Sequence, residues 1–258
     1  MVSARLAQLA VTVINEFLQA IQFLTRLRLA RQPEYTAGMA GAAVSWYAPT
    51  GLIIGVLMVL AGWICSFLVP PFLVSAIVLG VWVAITGALH LDGLGDCGDA
   101  WMGGHNPERM LEIMKDTSCG IGAIVAVALV LLLKFSALTL LIGQGDWSLL
   151  IFAPVLARIS LSLVIHYVPY RRAEGLGSSL QANLNFNAIV ISSLLMSLLL
   201  SLISFQAFVY GVFACGIAWL IIYRFFVKPI RGATGDVYGA LVEVTETLVL
   251  VGLVASLN

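Results

Sequence analysis

The chain has 258 residues, of which 61% are hydrophobic and 10% are charged, and its mean hydropathy is +1.04. These values exclude an ordinary soluble domain, and several apolar runs reach the roughly 20 residues with which a helix crosses a bilayer. The net charge is zero, which leaves no bulk electrostatic attraction for nucleic acid. We therefore interpret residues 1–258 as one integral-membrane domain of the all-α class.

Residues 4–25 predict an amphipathic helix that lies on the membrane surface. Apolar side chains recur there at helical spacing, namely Leu6, Leu9, Val13, Phe17, Ile21 and Leu24. Polar side chains occupy the opposite face, namely Gln8, Thr12, Asn15, Glu16, Gln19 and Gln22. A helix with one apolar and one polar face favours the interface over a membrane crossing.

About seven membrane spans are predicted after this helix. Pro49 and Gly51 divide the long apolar stretch 36–69 into a short helix or re-entrant piece, ending at Ala48, and a span over 52–69. The further predicted spans are 72–91, 120–142, 148–168, 188–205, 207–227 and 237–257.

Basic residues indicate how these spans are oriented. Nine fall on one side of the predicted topology: Arg26, Arg28, Arg31, Arg109, Lys115, Arg171, Arg172, Lys228 and Arg231. The connections on the other side, "VPPF", "GQGDW" and "SFQ", contain no lysine or arginine. The positive-inside rule therefore predicts that the basic side is cytoplasmic.

Acidic residues gather on the same side in two clusters. The first contains Asp92, Asp96, Asp99, Glu108, Glu112 and Asp116, and the second contains Asp236, Glu243 and Glu246. In "LHLDGLGDCGDAWMGG", Asp92, Asp96 and Asp99 stand at i, i+4 and i+7, which places them on one helical face. Like charges stacked in this way repel each other. Because Mg²⁺ prefers carboxylates and substrate phosphates, the pattern predicts a magnesium site.

Cations in the neighbouring loops extend this interpretation to an anionic substrate. Acids, bases and glycines on one membrane face are typical of metal-assisted phosphoryl transfer. The simpler alternative is that the loop charges only set the topology. Lys134 and Arg158 lie inside predicted spans, where they either pair with an intramembrane acid such as Glu243 or, for Arg158, reach a phosphate from the floor of a pocket.

Four separated motifs together resemble those of the cobalamin synthase family, the adenosylcobinamide-GDP ribazoletransferases. They are "LHLDGLGDCGDAWMGG", "RMLEIMKDTSCGIGA", "YRRAEGLGSS" and "RGATGDVYGALVEVTE". "FLTRL" and "WYAPTGLIIG" fit as well, so the resemblance covers most of the chain. It implies a magnesium-dependent enzyme of the prokaryotic inner membrane. This enzyme joins adenosylcobinamide-GDP to α-ribazole or its 5′-phosphate and releases GMP, by in-line attack of the ribose 5′-oxygen on the phosphorus nearest the corrinoid.

The resemblance and the charge pattern together define an expected site that faces the cytoplasm. The expected catalytic residues are Asp92, Asp96, Asp99, Asp116, Asp236 and Glu243, and the first four of these are the expected metal ligands. The expected substrate-binding residues are Arg109, Lys115, Arg158, Arg171 and Arg231. The expected partners are the corrinoid nucleotide, α-ribazole and the lipid bilayer, with no nucleic acid and with a homo-oligomer left open.

Two other functions remain as alternatives. One is a different membrane transferase that cleaves a diphosphate, although "DGLGDC" lacks the DG-x2-AR motif of CDP-alcohol phosphotransferases. The other is a cation transporter, which favours acids near the middle of several spans rather than at one surface.

Overall fold

The computed structural model describes residues 2–29, 37–172 and 176–257, and this part of the chain is helical without a β-strand. The helices are α1 (Val2–Leu24), α2 (Ala37–Ala43), α3 (Tyr47–Ser66), α4 (Pro71–Thr86), α5 (Leu89–Gly103), α6 (Pro107–Ile113), α7 (Ile121–Gln144), α8 (Phe152–Tyr167), α9 (Leu176–Gln181), α10 (Phe186–Ile203), α11 (Phe205–Ile222), α12 (Lys228–Ile230) and α13 (Gly235–Ala255). Arg31, one of the nine basic residues, lies outside the described residues.

Helix α1 matches the helix predicted over 4–25, but its last turns are buried against the bundle. The Phe17 and Trp46 rings lie 5.2 Å apart, and Phe23 stacks on Tyr47. Gln19, expected on the polar face, is buried, whereas Val13, expected on the apolar face, is exposed. The contact with α2 and α3 therefore rotates the buried face away from the one that periodicity alone predicts.

The membrane-spanning helices confirm a polytopic architecture. Six helical segments of the described chain are long and apolar enough to cross a bilayer, or seven if α4 and α5 form one bent span. The break expected near Pro49 is a single 3-10 turn, Val44–Trp46, after which α3 begins. Pro49 then lies in the first turn of α3, where its missing N–H breaks no helical hydrogen bond.

The predicted span 72–91 is wrong at its C-terminal end. Helix α4 stops at Thr86, and Gly87 and Ala88 both adopt left-handed backbone conformations, with φ of 64° and 57°. The chain then turns by 90° into α5. The aspartate triplet therefore lies on a helix of its own rather than on an extension of a span, and apolar composition alone does not reveal this turn.

Helices α8 and α13 form the centre of the bundle. In the most apolar stretch of each span, 78% of the residues are buried for the span that contains α8 and 72% for α13, against 22% for α7 and 11% for α10. Helix α13 packs against α5, α7, α8 and α11. Because α13 begins beside α5 and the 169–172 loop, this packing places Asp236 of the second acidic cluster next to the aspartates of α5.

Candidate active site

Two loops are joined by backbone hydrogen bonds at the start of α13. The Arg171 N–H donates to the Ala233 carbonyl at 2.8 Å, and the Ala233 N–H donates to the Pro169 carbonyl at 3.0 Å. The Gln181 amide donates to the Val168 carbonyl at 2.6 Å and supports the same loop. The "YRR" motif is therefore held against the "RGATGD" motif.

Helices α5 and α13 approach each other at glycines. A Cβ atom on Gly93 would lie 2.8 Å from the Asp236 carbonyl oxygen, and one on Gly239 would lie 3.0 Å from the His90 carbonyl oxygen. Only a residue without a side chain permits such a backbone contact. The glycines of both motifs thus bring Asp236 beside the aspartates of α5.

The carboxylate of Asp236 is fixed by two donors. An Arg172 guanidinium nitrogen donates to Asp236 Oδ2 at 2.6 Å and to the Met114 carbonyl at 3.1 Å. The Thr234 hydroxyl, which also caps α13, lies 3.2 Å from the same Oδ2. Arg172 therefore connects three of the motifs, because Met114 belongs to the segment after α6.

Asp92 and Asp96 remain available to a ligand. Asp92 is exposed and Asp96 half-buried, and neither carboxylate accepts a hydrogen bond from a described residue. Asp92 and Asp236 both lie close enough to Asp96 to repel its negative charge. A cation at this position relieves the repulsion of the three carboxylates.

Asp99 has a different environment from the other two members of the triplet. Its Oδ2 accepts from the Gly120 N–H at 2.7 Å, and its Oδ1 accepts from the Ala123 N–H at 2.9 Å. These N–H groups belong to the first turn of α7, which has no helical partner for them. Asp99 therefore caps a neighbouring helix with both oxygens.

The structure does not bring Asp116 to the carboxylates of α5 and α13. Asp116 is exposed in the loop after α6, where the Ser118 N–H donates to it at 3.0 Å. This hydrogen bond, together with one from the Ser118 hydroxyl, holds the pKa of Asp116 below its ordinary value. Asp116 thus differs in environment from the aspartates of α5, and its role as a metal ligand stays a prediction.

Four of the five expected substrate-binding cations lie on the exposed face. Arg109 pairs with Glu112 on the surface of α6 at 3.0 Å, and Lys115, Arg171 and Arg231 are exposed. Arg172 instead points into the site, although only Arg171 of this pair was expected there. The two arginines are adjacent in the motif, which does not show which of them enters the site. The structure shows it, because Arg172 pairs with Asp236 and Arg171 is exposed.

Glu243 and Arg158 belong to a buried ion network inside the bundle. The Lys134 ammonium donates to Glu243 at 2.7 Å and to Glu246 at 2.5 Å, and Arg158 pairs with Glu246. Lys134 also lies 4.3 Å above the Trp82 ring. The intramembrane pairing considered for Lys134 and Glu243 is therefore present. Arg158 is fully buried, and neither Arg158 nor Glu243 lines the cavity beside Asp92 and Asp236.

A cavity of about 250 Å³, here called the central cavity, opens beside the carboxylates. Its polar lining includes His90, Asp92, Arg172 and Asp236, and the remaining lining is largely aromatic and aliphatic. A second, more open depression of about 580 Å³, the α5–α7 groove, is lined by Asp92, Asp96 and the 117–119 loop. Asp92 lines both spaces, so it stands at their boundary.

The oxygen donors of this site suit a hard divalent cation. No group of three or more His, Cys, Asp or Glu side chains within 2–29, 37–172 and 176–257 is already gathered as a metal site. Asp92 and Asp96 nevertheless offer carboxylate oxygens without a protein partner, next to Asp236. Magnesium is typically held by one or two carboxylates together with substrate phosphates and water, which this arrangement fits.

Comparison with known proteins identifies relatives over nearly the whole chain. A model of the family described as "Cobalamin-5-phosphate synthase" matches residues 16–254. An adenosylcobinamide-GDP ribazoletransferase of Pseudomonas aeruginosa is 44% identical over 253 residues, which cover 93% of this chain and 98% of that protein. The same name is carried by a protein of Stutzerimonas stutzeri, 40% identical over 91% of this chain and 95% of the relative. It is also carried by one of Acinetobacter baumannii, 38% identical over 94% of this chain and 98% of the relative. No solved structure matches the chain.

Proposed function

The chain belongs to the cobalamin-5-phosphate synthase family, a family of enzymes of cobalamin biosynthesis, and on this premise we propose that it is a magnesium-dependent adenosylcobinamide-GDP ribazoletransferase. It joins adenosylcobinamide-GDP to α-ribazole or α-ribazole 5′-phosphate and releases GMP. The observation that carries the proposal is the convergence of Asp92, Asp96 and the Asp236–Arg172 pair where the central cavity meets the α5–α7 groove.

The reaction is the displacement of GMP at a phosphorus atom. A ribose hydroxyl of the acceptor attacks the phosphorus nearest the corrinoid, the new P–O bond forms, and the P–O bond to GMP breaks. The hydroxyl proton goes to a carboxylate of the site, and the bond electrons leave with GMP. When bound, magnesium would neutralise negative charge on the diphosphate.

The acceptor chemistry limits which hydroxyl can react. In α-ribazole 5′-phosphate the 5′-oxygen is already esterified, so the 5′-oxygen attack that the resemblance implied serves only the first acceptor. A free ribose hydroxyl elsewhere on the ring is the nucleophile that both acceptors share.

Asp92 has two tasks in this proposal, and the other residues of the site have one each. Asp92 is the general base, because its carboxylate has no partner among the described residues and lies at the boundary of both spaces. Asp96 and the second carboxylate oxygen of Asp92 would hold the metal, with Asp236 completing the negative charge. Arg172 orients Asp236 and presents positive charge to the diphosphate. Glu243 and Arg158, which neutralise charge inside the bundle, do not contact the substrate.

We place the active site at the cytoplasmic face of the inner membrane. The basic residues of the described chain that flank the site, such as Arg109, Lys115, Arg171 and Arg231, support this orientation through the positive-inside rule. Helix α1, which is exposed over residues 10–14, then lies along the same membrane surface.

The test is GMP release by the purified protein. Adenosylcobinamide-GDP is supplied with and without α-ribazole, and with Mg²⁺ or with excess chelator. We expect GMP and a corrinoid product in equal amounts only when acceptor and Mg²⁺ are both present. GMP release that is independent of acceptor would indicate a hydrolase, and a lack of release under every condition would contradict the proposal.

A further inference from the structure

We propose that the central cavity is the binding site for the α-ribazole acceptor, and that the hydroxyl of Tyr238 hydrogen-bonds to this acceptor. The inference rests on the proposed function and assigns one of its two substrates to one of the two spaces at the site. The α5–α7 groove is thereby left for the diphosphate of the corrinoid donor.

The size of the cavity excludes the larger substrate. At about 250 Å³ it lies just below the roughly 300–1,000 Å³ typical of sites for small ligands. A benzimidazole nucleoside is a ligand of this class, whereas the corrin macrocycle is several times larger. The corrin ring therefore has to stay outside while the acceptor enters.

The composition of the walls favours the benzimidazole base over guanine. Leu161, Ile165 and Leu180 are buried and line the cavity together with the aromatic rings of Phe23, Tyr170 and Tyr238. A dimethylbenzimidazole presents methyl groups and a flat ring with few polar atoms. Guanine presents several donors and acceptors along its edges, and burying these without partners is costly.

Three buried polar atoms of the residues that line the cavity have no partner within the described residues. They are the Tyr238 hydroxyl, His90 Nδ1 and Arg172 Nε, and Tyr238 and His90 are each 5% exposed. Buried polar groups are nearly always hydrogen-bonded, so three such atoms around one cavity point to a ligand that supplies the partners. An acceptor nucleoside carries ring nitrogen and hydroxyl groups that can do so.

The position of the charges orients the acceptor within the cavity. Asp92 and Asp236 belong to the same lining as the apolar wall, and Asp92 also lines the α5–α7 groove. When the benzimidazole ring packs against the apolar wall, the ribose lies near the two carboxylates. The reacting hydroxyl then faces the donor phosphorus across Asp92.

The first experiment removes only the hydroxyl. In purified Tyr238→Phe protein, calorimetric titration should show about tenfold weaker binding of α-ribazole, the effect of one lost hydrogen bond. Binding of adenosylcobinamide-GDP should be unchanged. The thermal midpoint without ligand should not fall, because the hydroxyl has no protein partner to lose. Tyr167→Phe, which removes an exposed hydroxyl outside the cavity, is the matched control.

The second experiment fills the cavity. Leu89 lines the cavity, is 39% exposed and begins α5, so Leu89→Trp adds bulk without displacing a buried core side chain. We expect it to lower α-ribazole affinity at least tenfold. Ile121→Trp, at the exposed first residue of α7, is the control and should bind as wild type.

The outcomes separate this assignment from the proposed function. Wild-type protein that releases GMP, with α-ribazole affinity unaltered in both cavity variants, would overturn the cavity assignment alone. The cavity assignment would also be overturned if Leu89→Trp weakened the binding of adenosylcobinamide-GDP and left the affinity for α-ribazole unchanged. Wild-type protein that neither binds α-ribazole nor releases GMP would overturn the proposed function, and the assignment with it.

Discussion

At the scale of single residues, environment separates carboxylates that share one sequence motif. Asp92 and Asp96 have no hydrogen-bond donor among the described residues, whereas Asp99 accepts two backbone hydrogen bonds. Helical spacing alone makes the three equivalent. Their different partners support the chemistry proposed for the first two and a capping role for the third.

The ligand roles of Asp92 and Asp96 are tested by charge-neutral substitutions. Asp92→Asn and Asp96→Asn should each lower GMP release about 100-fold, on the scale of a disturbed metal site. Both should fold normally, because each change reduces repulsion between carboxylates. Glu108→Gln, an exposed acid of the same cluster, is the control. Near wild-type turnover of both aspartate variants at limiting Mg²⁺ would refute the assignment.

The buried ion network predicts a rescue between two substitutions. Glu243→Gln leaves Lys134 and Arg158 with Glu246 as their remaining acid and should destabilise the protein by about 3–5 kcal/mol. Glu243→Gln combined with Lys134→Met restores neutrality and should recover most of the thermal midpoint and the activity. If the double variant regains stability while staying inactive, Glu243 has a catalytic task after all.

At the scale of secondary-structure elements, α5 is the centre of the site because it contacts α13 on one side and α7 on the other. Gly93 meets the Asp236 backbone, and Gly98 and Gly122 bring α5 and α7 into backbone contact. Such contacts transmit any displacement of one helix to the carboxylates of its neighbour.

The capping task of Asp99 belongs to this scale. Asp99→Ala removes the acceptors of two N–H groups at the start of α7 and should cost about 1–2 kcal/mol of stability. Asp99→Asn keeps one side-chain oxygen and should retain much of that stability and most of the activity. Equal loss of magnesium response in both variants, with an unchanged thermal midpoint, would instead make Asp99 a metal ligand.

The contact between α5 and α13 predicts a strong effect of a single methyl group. Gly93→Ala places a Cβ 2.8–2.9 Å from Asp236 backbone atoms, which should cost about 1–3 kcal/mol and lower activity at least tenfold by displacing Asp236. Gly80→Ala in α4 meets nothing within 4 Å and should be neutral or stabilising by about 0.5–1 kcal/mol. A similar response of the two variants in thermal unfolding and activity would argue against close packing at Gly93.

At the scale of the whole molecule, the helices carry the acidic and basic residues of the site to one end of the bundle. The 114–120 loop, the 169–172 loop and the start of α13 meet there, joined by Arg172. The opposite end contains the turn between α7 and α8, where Trp147 packs on Gly62.

Labelling of cysteines tests the orientation of this arrangement. Cys119 is exposed near the site, and Gln144 is exposed at the far end of α7. A membrane-impermeant maleimide should label Cys119 in sealed inverted vesicles, with Cys119→Ser as the control. In the Cys119→Ser background, Gln144→Cys should react only after permeabilisation. The reverse pattern would place the active site on the outer face.

The membrane class, the approximate number of spans, the N-terminal helix and the two acidic clusters could all be predicted from the sequence. Each depends on local properties, such as the length of an apolar run or the period of a helix, which are present in any short window of residues. The motifs also pointed to the family. The C-terminal end of α4 and the separate helix α5 were missed, since a left-handed turn at Gly87 and Ala88 barely changes the local hydropathy.

The roles of individual charged residues depended on the tertiary structure. The partners of these residues lie far away along the chain. Asp99 and Gly120 are separated by 21 residues, Arg172 and Asp236 by 64, and Lys134 and Glu243 by 109. The energy of a carboxylate depends on burial and on the donors that surround it, and a sequence pattern specifies neither. Packing of α13 against α5, α7 and α8 therefore decided which acids remain free for a ligand and which are used to hold the bundle together.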